Sequence, residues 1–176
     1  MPTAAPTDPA PRSVNHVAYP TWDSGMTYRF YTEVLRCRFL AAISEDRVPS
    51  TGEPHPFLHT FYGFTSGECI AFFEVDGLER AKPDGIPSWI RHLALNVDTV
   101  EALAEWKRWL TDHGVEVLGT VDHEQTWQSL YFFDPNGVRI ELTAQVRELT
   151  EEDSAAGMAL LTEWAGKRGQ SLTTGA

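Results

Sequence analysis

Ile90–Gly119 reads IRHLALNVDTVEALAEWKRWLTDHGVEVLG, and its hydrophobic period changes twice along its length. In RHLALNV, Leu93, Leu95 and Val97 alternate with His92, Ala94 and Asn96, the period of two that marks a half-buried strand. From Asp98 the period lengthens. Val100, Leu103, Trp106 and Leu110 fall on one face of a helix, with Asp98 as the expected N-cap and Glu101 three residues on at a capping-box spacing. Gly114 ends the helix as a left-handed C′ residue, and VEVLG resumes as a strand.

The same order occurs earlier in the chain. Val14–Ile43, VNHVAYPTWDSGMTYRFYTEVLRCRFLAAI, aligns without gaps at an offset of 76 residues, which places His16 on His92 and Ala18 on Ala94. Val34 falls on Leu110, Phe39 on Val115 and Ala41 on Val117. The helical stripe here is Met26, Phe30 and Val34, with Tyr31 and Leu35 beside it. Each copy is followed by two further strand-like segments, HPFLHTFYGF and CIAFFEV in the first, WQSLYFF and VRIELTA in the second. The links are TSGE and DPNG. In the latter, Pro135 presets φ and Asn136-Gly137 tolerate positive φ, as a tight turn requires. The expected fold class is therefore α+β, with paired βαβββ modules at residues 14–80 and 90–146 of one domain spanning 14–146. Residues 1–13, rich in Pro, Ala and Thr, read as a flexible tail without an apolar signal core. Residues 147–176 read as a helix and tail, whose stripe of Met158, Leu161, Trp164 and Ala165 is expected to dock on the domain or on a second chain.

The formal net charge of −11 argues against nucleic acid or an anionic membrane as partner, since both need basic patches. No apolar run approaches the roughly 18 residues of a membrane span. The only cysteines, Cys37 and Cys69, form neither a CxxC pair nor a disulfide framework, which fits a reducing cytoplasm.

Four residues suggest chemistry. His16 and His92 occupy matching first strands, and Glu74 and Glu141 stand in the last strands, in FEV and IEL. A lone strand histidine or glutamate is ordinarily a hydrogen-bonded or solvent-facing residue. Two of each at paired places in a repeat point instead to a pseudo-twofold metal site. Imidazole with carboxylate suits Fe(II), Mn(II), Ni(II), Zn(II) or Co(II).

With these residues in place, Val14–Gln145 resembles the vicinal oxygen chelate superfamily, which includes glyoxalase I, type I extradiol dioxygenases, fosfomycin and bleomycin resistance proteins and methylmalonyl-CoA epimerase. The resemblance implies two βαβββ modules curled as an eight-stranded open barrel around a metal cup. Within it, VDHEQTWQSLYFFDPNGVRIEL (Val121–Leu142) matches the local pattern of extradiol ring-cleaving enzymes. His123 is followed after six residues by Leu130-Tyr131, then Asp134-Pro135, Gly137 and Glu141. The resemblance then implies that His16, His92 and Glu141 hold a divalent metal, Fe(II) favoured. His123 would touch oxygen or substrate, and Tyr131 would hydrogen-bond the intermediate.

Two features depart from the dioxygenase pattern. The acid/base histidine expected just before CIAFFEV is missing from TSGE, His59 lying earlier, in the preceding strand. Glu74 supplies a fourth ligand or a base, as in a glyoxalase-like His/Glu/His/Glu set. The expected function is thus a metal-dependent enzyme, foremost an extradiol-type dioxygenase using O2 on a catechol-like substrate. The alternatives are a glyoxalase-type isomerase, epimerase or lyase working without O2, and a drug-binding resistance protein. Trp127, Phe72, Phe133 and Phe57, in strands near the ligands, are the expected aromatic walls for a small aromatic or vicinal-oxygen substrate. Family habit implies a homodimer.

Overall fold

A computed structural model describes residues 11–80 and 84–172. The expected tail at 1–13 therefore lies largely outside the described residues, as does part of the link between modules.

The first module runs β1 (His16–Pro20), α1 (Ser24–Arg29), β2 (Arg38–Glu45), β3 (Phe57–Gly63) and β4 (Cys69–Val75). The second runs β5 (Leu93–Asn96), α2 (Val100–Asp112), β6 (Leu118–His123), β7 (Trp127–Phe133) and β8 (Arg139–Gln145), and α3 (Glu151–Lys167) follows. Each module makes its own four-stranded mixed sheet, in the orders β1-β4-β3-β2 and β5-β8-β7-β6. The repeat is thus present as two matching sheets, and among the described residues no strand pairing joins them into one eight-stranded barrel.

Local chemistry explains most of the boundaries. The N-cap of α2 is Thr99, one residue later than the expected Asp98. Its hydroxyl accepts from Ala102 N at 3.2 Å, a cap worth about 1 kcal/mol. His113 closes α2, and Gly114 follows at φ 75° as expected. In the first module, α1 is capped by Asp23 and runs only six residues before widening into a π-helical turn, Phe30–Val34. The extra residue per turn keeps both Phe30 and Tyr31 buried.

One core cluster spans both modules. Tyr31, Tyr62, Ile70 and Phe72 of the first belong to the same cluster as Leu103, Leu110, Leu130, Phe132, Ile140 and Leu142 of the second. Polar contacts fasten the junction. Tyr31 Oη donates to Asp134 Oδ2 at 3.0 Å, and Trp109 Nε1 donates to Val34 O at 2.8 Å. Asn136 of the DPNG turn accepts from Thr21 Oγ1 at 2.8 Å and donates to Thr27 Oγ1 at 3.0 Å. Asp134 Oδ1 accepts from Asn136 N and Val138 N, which closes the turn. The sequence marked this segment as a turn. Its second task, clamping the two modules, depends on partners more than a hundred residues away.

Helix α3 is capped by Thr150 in a capping box with Asp153, which also pairs with Arg147 at 2.8 Å. The expected docking of its stripe on the domain is confined to Ala165. Met158, Leu161 and Trp164 are exposed. Neither cysteine is bonded, and burial pushes the Cys37 thiol up to about 12. Among the described residues no helix is long and apolar enough to cross a membrane.

Candidate metal centre

Strand alternation gives each sheet two faces. On β8, Ile140, Leu142 and Ala144 enter the core, so Arg139, Glu141 and Thr143 stand on the opposite face. On β7, Leu130 and Phe132 enter the core, which leaves Ser129 and Tyr131 on the face of Glu141. The first module divides likewise. Ile70 and Phe72 of β4 point inward, so Cys69, Ala71 and Phe73 share the outer face with His59 and Phe61 of β3.

The second-module face holds the best-formed constellation. His92, one residue before β5, places Nε2 2.9 Å from Glu141 Oε2. Glu141 is buried, 7% exposed, and its Oε1 accepts from Ser129 Oγ at 2.5 Å. Ser129 Oγ also lies 3.0 Å from Thr143 Oγ1. His92 Nδ1 is 3.3 Å from Trp89 O. In the tautomer with the proton on Nδ1, serving that carbonyl, the lone pair of Nε2 faces the carboxylate. In that tautomer the two acceptors, 2.9 Å apart, are bridged by a proton or a cation. Donors each about 2.1 Å from a divalent ion, set roughly at right angles, stand about 3 Å apart, so the pair fits a metal's coordination edge.

Beside the pair, His123 Nε2 and Tyr131 Oη are 2.9 Å apart, so the two residues singled out from the sequence do meet. Burial, then the charge of Glu141, push the Tyr131 hydroxyl above its ordinary range and keep it a proton donor. The Arg139 guanidinium lies over the Tyr131 ring at 4.5 Å. Trp127 and Phe133 lie on this same face by alternation.

Glu74 is in a different place from the one the repeat suggested. β1 pairs Val17 with Ile70, and β5 pairs Leu93 with Ile140. Val17 and Leu93 are repeat equivalents, so Ala71, not Glu74, takes the position of Glu141. Glu74 takes that of Ala144, an odd number of residues away and hence on the core side. There its Oε2 accepts from Ser24 N at 2.9 Å, at the start of α1. Phe72 needs correcting for the same reason. It is fully buried against Tyr31 and Tyr62 and lines no cup. Phe57 does lie on the outer face of module one, packed edge-on to Phe73.

His16 stands on that first-module face as well. Its ring is 6.2 Å from that of His59 and 5.7 Å from that of Phe61, and its Nδ1 is 2.7 Å from Asn15 Oδ1. Among the described residues no three His, Cys, Asp or Glu side chains of one chain come together. His16 and the His92–Glu141 pair are therefore two parts held on different sheets. A cavity of about 410 Å³ lies between Phe30, Val115, Leu118, Phe132 and Asp134 and includes none of the candidate ligands. Sequence reasoning missed Ser129, the residue that fixes Glu141. Its signal was its place two residues before Tyr131, which puts it on the same strand face.

A family model described as the Glyoxalase/Bleomycin resistance protein/Dioxygenase superfamily matches residues 13–142. A metallothiol transferase FosB from Staphylococcus saprophyticus is 28% identical over 132 residues, covering 74% of this chain and 76% of that protein. Another from Bacillus licheniformis is 28% identical, covering 73% of each. Among solved structures, a glyoxylase/bleomycin resistance protein/dioxygenase domain from Frankia sp. superposes with a TM-score of 0.62 at 19% identity, covering 77% of this chain and 99% of that one.

Proposed function

Because this chain belongs to the Glyoxalase/Bleomycin resistance protein/Dioxygenase superfamily, we propose that it is a mononuclear divalent-metal enzyme acting on a small molecule with adjacent oxygens. The chemistry is Lewis-acid activation of the glyoxalase, epimerase or thiol-transferase kind, not oxidative ring cleavage. The curated relatives are metallothiol transferases, which favours this alternative over the dioxygenase reading and its preference for Fe(II). The carrying observation is the buried Glu141 carboxylate facing His92 at 2.9 Å, with Ser129 fixed behind it.

When bound, the metal polarises substrate oxygens and so acidifies a neighbouring C–H or opens a carbon to a thiol. The residues of the chain do the rest. Ser129 orients the Glu141 carboxylate, and Trp89 O orients the His92 ring. The Tyr131 hydroxyl donates to a substrate oxygen, and a proton held there has a route to His123 Nε2, 2.9 Å away. Trp127 and Phe133 offer apolar wall.

His16 reaches the centre from a second copy of the chain. Exposed apolar side chains border both the face carrying His16 and the face carrying Glu141. Ile43, which pairs with His59, is 47% exposed, and Leu118 and Phe133, on the Glu141 side, are 52% and 44% exposed. Two faces with exposed apolar borders, each with part of one donor set, suit a face-to-face, twofold homodimer.

The test is metal analysis of anaerobically purified protein, followed by parallel assays of oxygen uptake on a catechol panel, hemithioacetal isomerisation, acyl-thioester epimerisation and thiol transfer to an epoxide. Bound metal with turnover in one of the last three and no oxygen uptake is the expected result. Iron with catechol-dependent oxygen uptake restores the dioxygenase reading, and protein that holds no divalent ion overturns both.

A further inference from the structure

We propose that His59 is the fourth protein donor of this metal centre, in the place the sequence reading gave to Glu74. The inference rests on the reading above, in which the His16 face of one copy closes on the His92–Glu141 face of another.

Register fixes which positions of the two modules correspond. In the second module the carboxylate donor is Glu141. At the corresponding position of the first module stands Ala71, which has no donor atom. Ala71 pairs with Ala18 on one side and Phe61 on the other, so two of the three side chains across this part of the sheet are methyl groups. His59 is the diagonal neighbour of Ala71, two residues from Phe61 along β3, on the same face. The residue diagonal to Glu141 at the matching place in module two is Ser129, which touches Glu141 directly. Position 59 is therefore within reach of the space a carboxylate at position 71 would fill.

The His59 ring is held in place. It stacks on Phe73 at 3.6 Å with 18° between planes and lies 4.1 Å from Phe61. The His16 ring is 6.2 Å away, edge-on. The Nε2 of His59 is buried and has no hydrogen-bond partner. A buried imidazole nitrogen without a partner loses the full desolvation cost of that atom, which a cation shared with His16 recovers.

The resulting set is three imidazoles and one carboxylate, two donors from each copy. Such a nitrogen-rich set suits Zn(II), Co(II) or Ni(II) better than Mn(II) or Mg(II), which prefer oxygen donors.

The experiment measures Co(II) affinity by chelator competition, together with the visible ligand-field spectrum, on the full chain. His59→Phe is the main variant, because it keeps the aromatic stack with Phe61 and Phe73 while removing both nitrogens. His59→Ala is the second variant, and thermal unfolding checks that each is folded. The expected result is a loss of affinity of roughly tenfold or more in both, with a changed spectrum, and no change in Glu74→Ala. His92→Ala and Glu141→Gln serve as references. If they lose Co(II) while His59→Phe keeps both affinity and spectrum, His59 is not a donor and the metal centre stands. If they too retain Co(II), the centre itself is wrong and this proposal falls with it.

Discussion

Ser129 shows how a single side chain turns an ordinary strand glutamate into a candidate ligand. A buried carboxylate with no partner is costly, and here one oxygen takes the serine hydroxyl while the other faces His92. Removing the hydroxyl frees the carboxylate to rotate away from the imidazole. Ser129→Ala is therefore expected to weaken divalent metal binding by roughly 10- to 100-fold with the fold intact, as read by chelator competition beside a thermal melt. An unchanged affinity would mean that the hydroxyl does not orient Glu141. The legibility of the site differed residue by residue. His123, Tyr131 and Glu141 are written as a local pattern, because they lie on the successive antiparallel strands β6, β7 and β8, whose turns and alternation fix their face, while His92 was marked by its place in the repeat. Glu74 misled because FEV and IEL look alike in the chain. Only the β1–β4 and β5–β8 pairings show the two strands to be offset by three residues.

At the scale of elements, two turns carry more than connection. The DPNG turn between β7 and β8 seats Asp134 among buried groups, and burial raises its carboxyl pKa although Val138 N, Asn136 and Tyr31 lower it by hydrogen bonding. A raised folded-state pKa means that the folded protein binds the proton more tightly than the unfolded chain. This contribution to stability is present below the ordinary aspartate value of 3.8 and is lost as pH rises through the raised one. Asp134→Asn removes that titration, so in urea unfolding the wild type should gain on the variant as pH falls from neutral toward 4. A constant difference across that range would rule the linkage out. The bulge in β6 depends on Gly119, at φ 107°, where an added Cβ would stand 2.8 Å from Ser129 O. Gly119→Ala should cost about 1–3 kcal/mol in denaturant unfolding, and because it presses on Ser129 it should also weaken metal binding. Stability within error of the wild type would show that the bulge relaxes freely.

For the whole molecule, the arrangement of donors predicts a result that no single-chain site can give. His16→Ala and His92→Ala variants should each fail to hold metal alone. Mixed and allowed to exchange subunits, they should regain one intact site per mixed dimer, because one of the two shared centres then draws His16 and His92 from unmutated modules. Metal content measured after exchange decides the matter. Recovery supports donors shared between copies, and its absence with exchange confirmed places the donors within one chain. The exposed Ile43, Leu118 and Phe133 lie on the surfaces such a dimer covers.

The sequence alone determined the paired βαβββ order, nearly every strand and the DPNG turn, and the repeat marked His92 and Glu141 as candidates. The elements and the turn follow from hydrophobic period, glycine and proline placement and local spacing, all of which act over a few residues. Tertiary structure decided what depends on register and on distant partners. It turned Glu74 toward the helix side, buried Phe72 in the core and brought His59 beside His16. It also separated His16 from Glu141. A shift of an odd number of residues along a strand leaves the hydrophobic pattern recognisable yet sends the side chain to the opposite face, and only the hydrogen-bonded neighbour fixes which face that is.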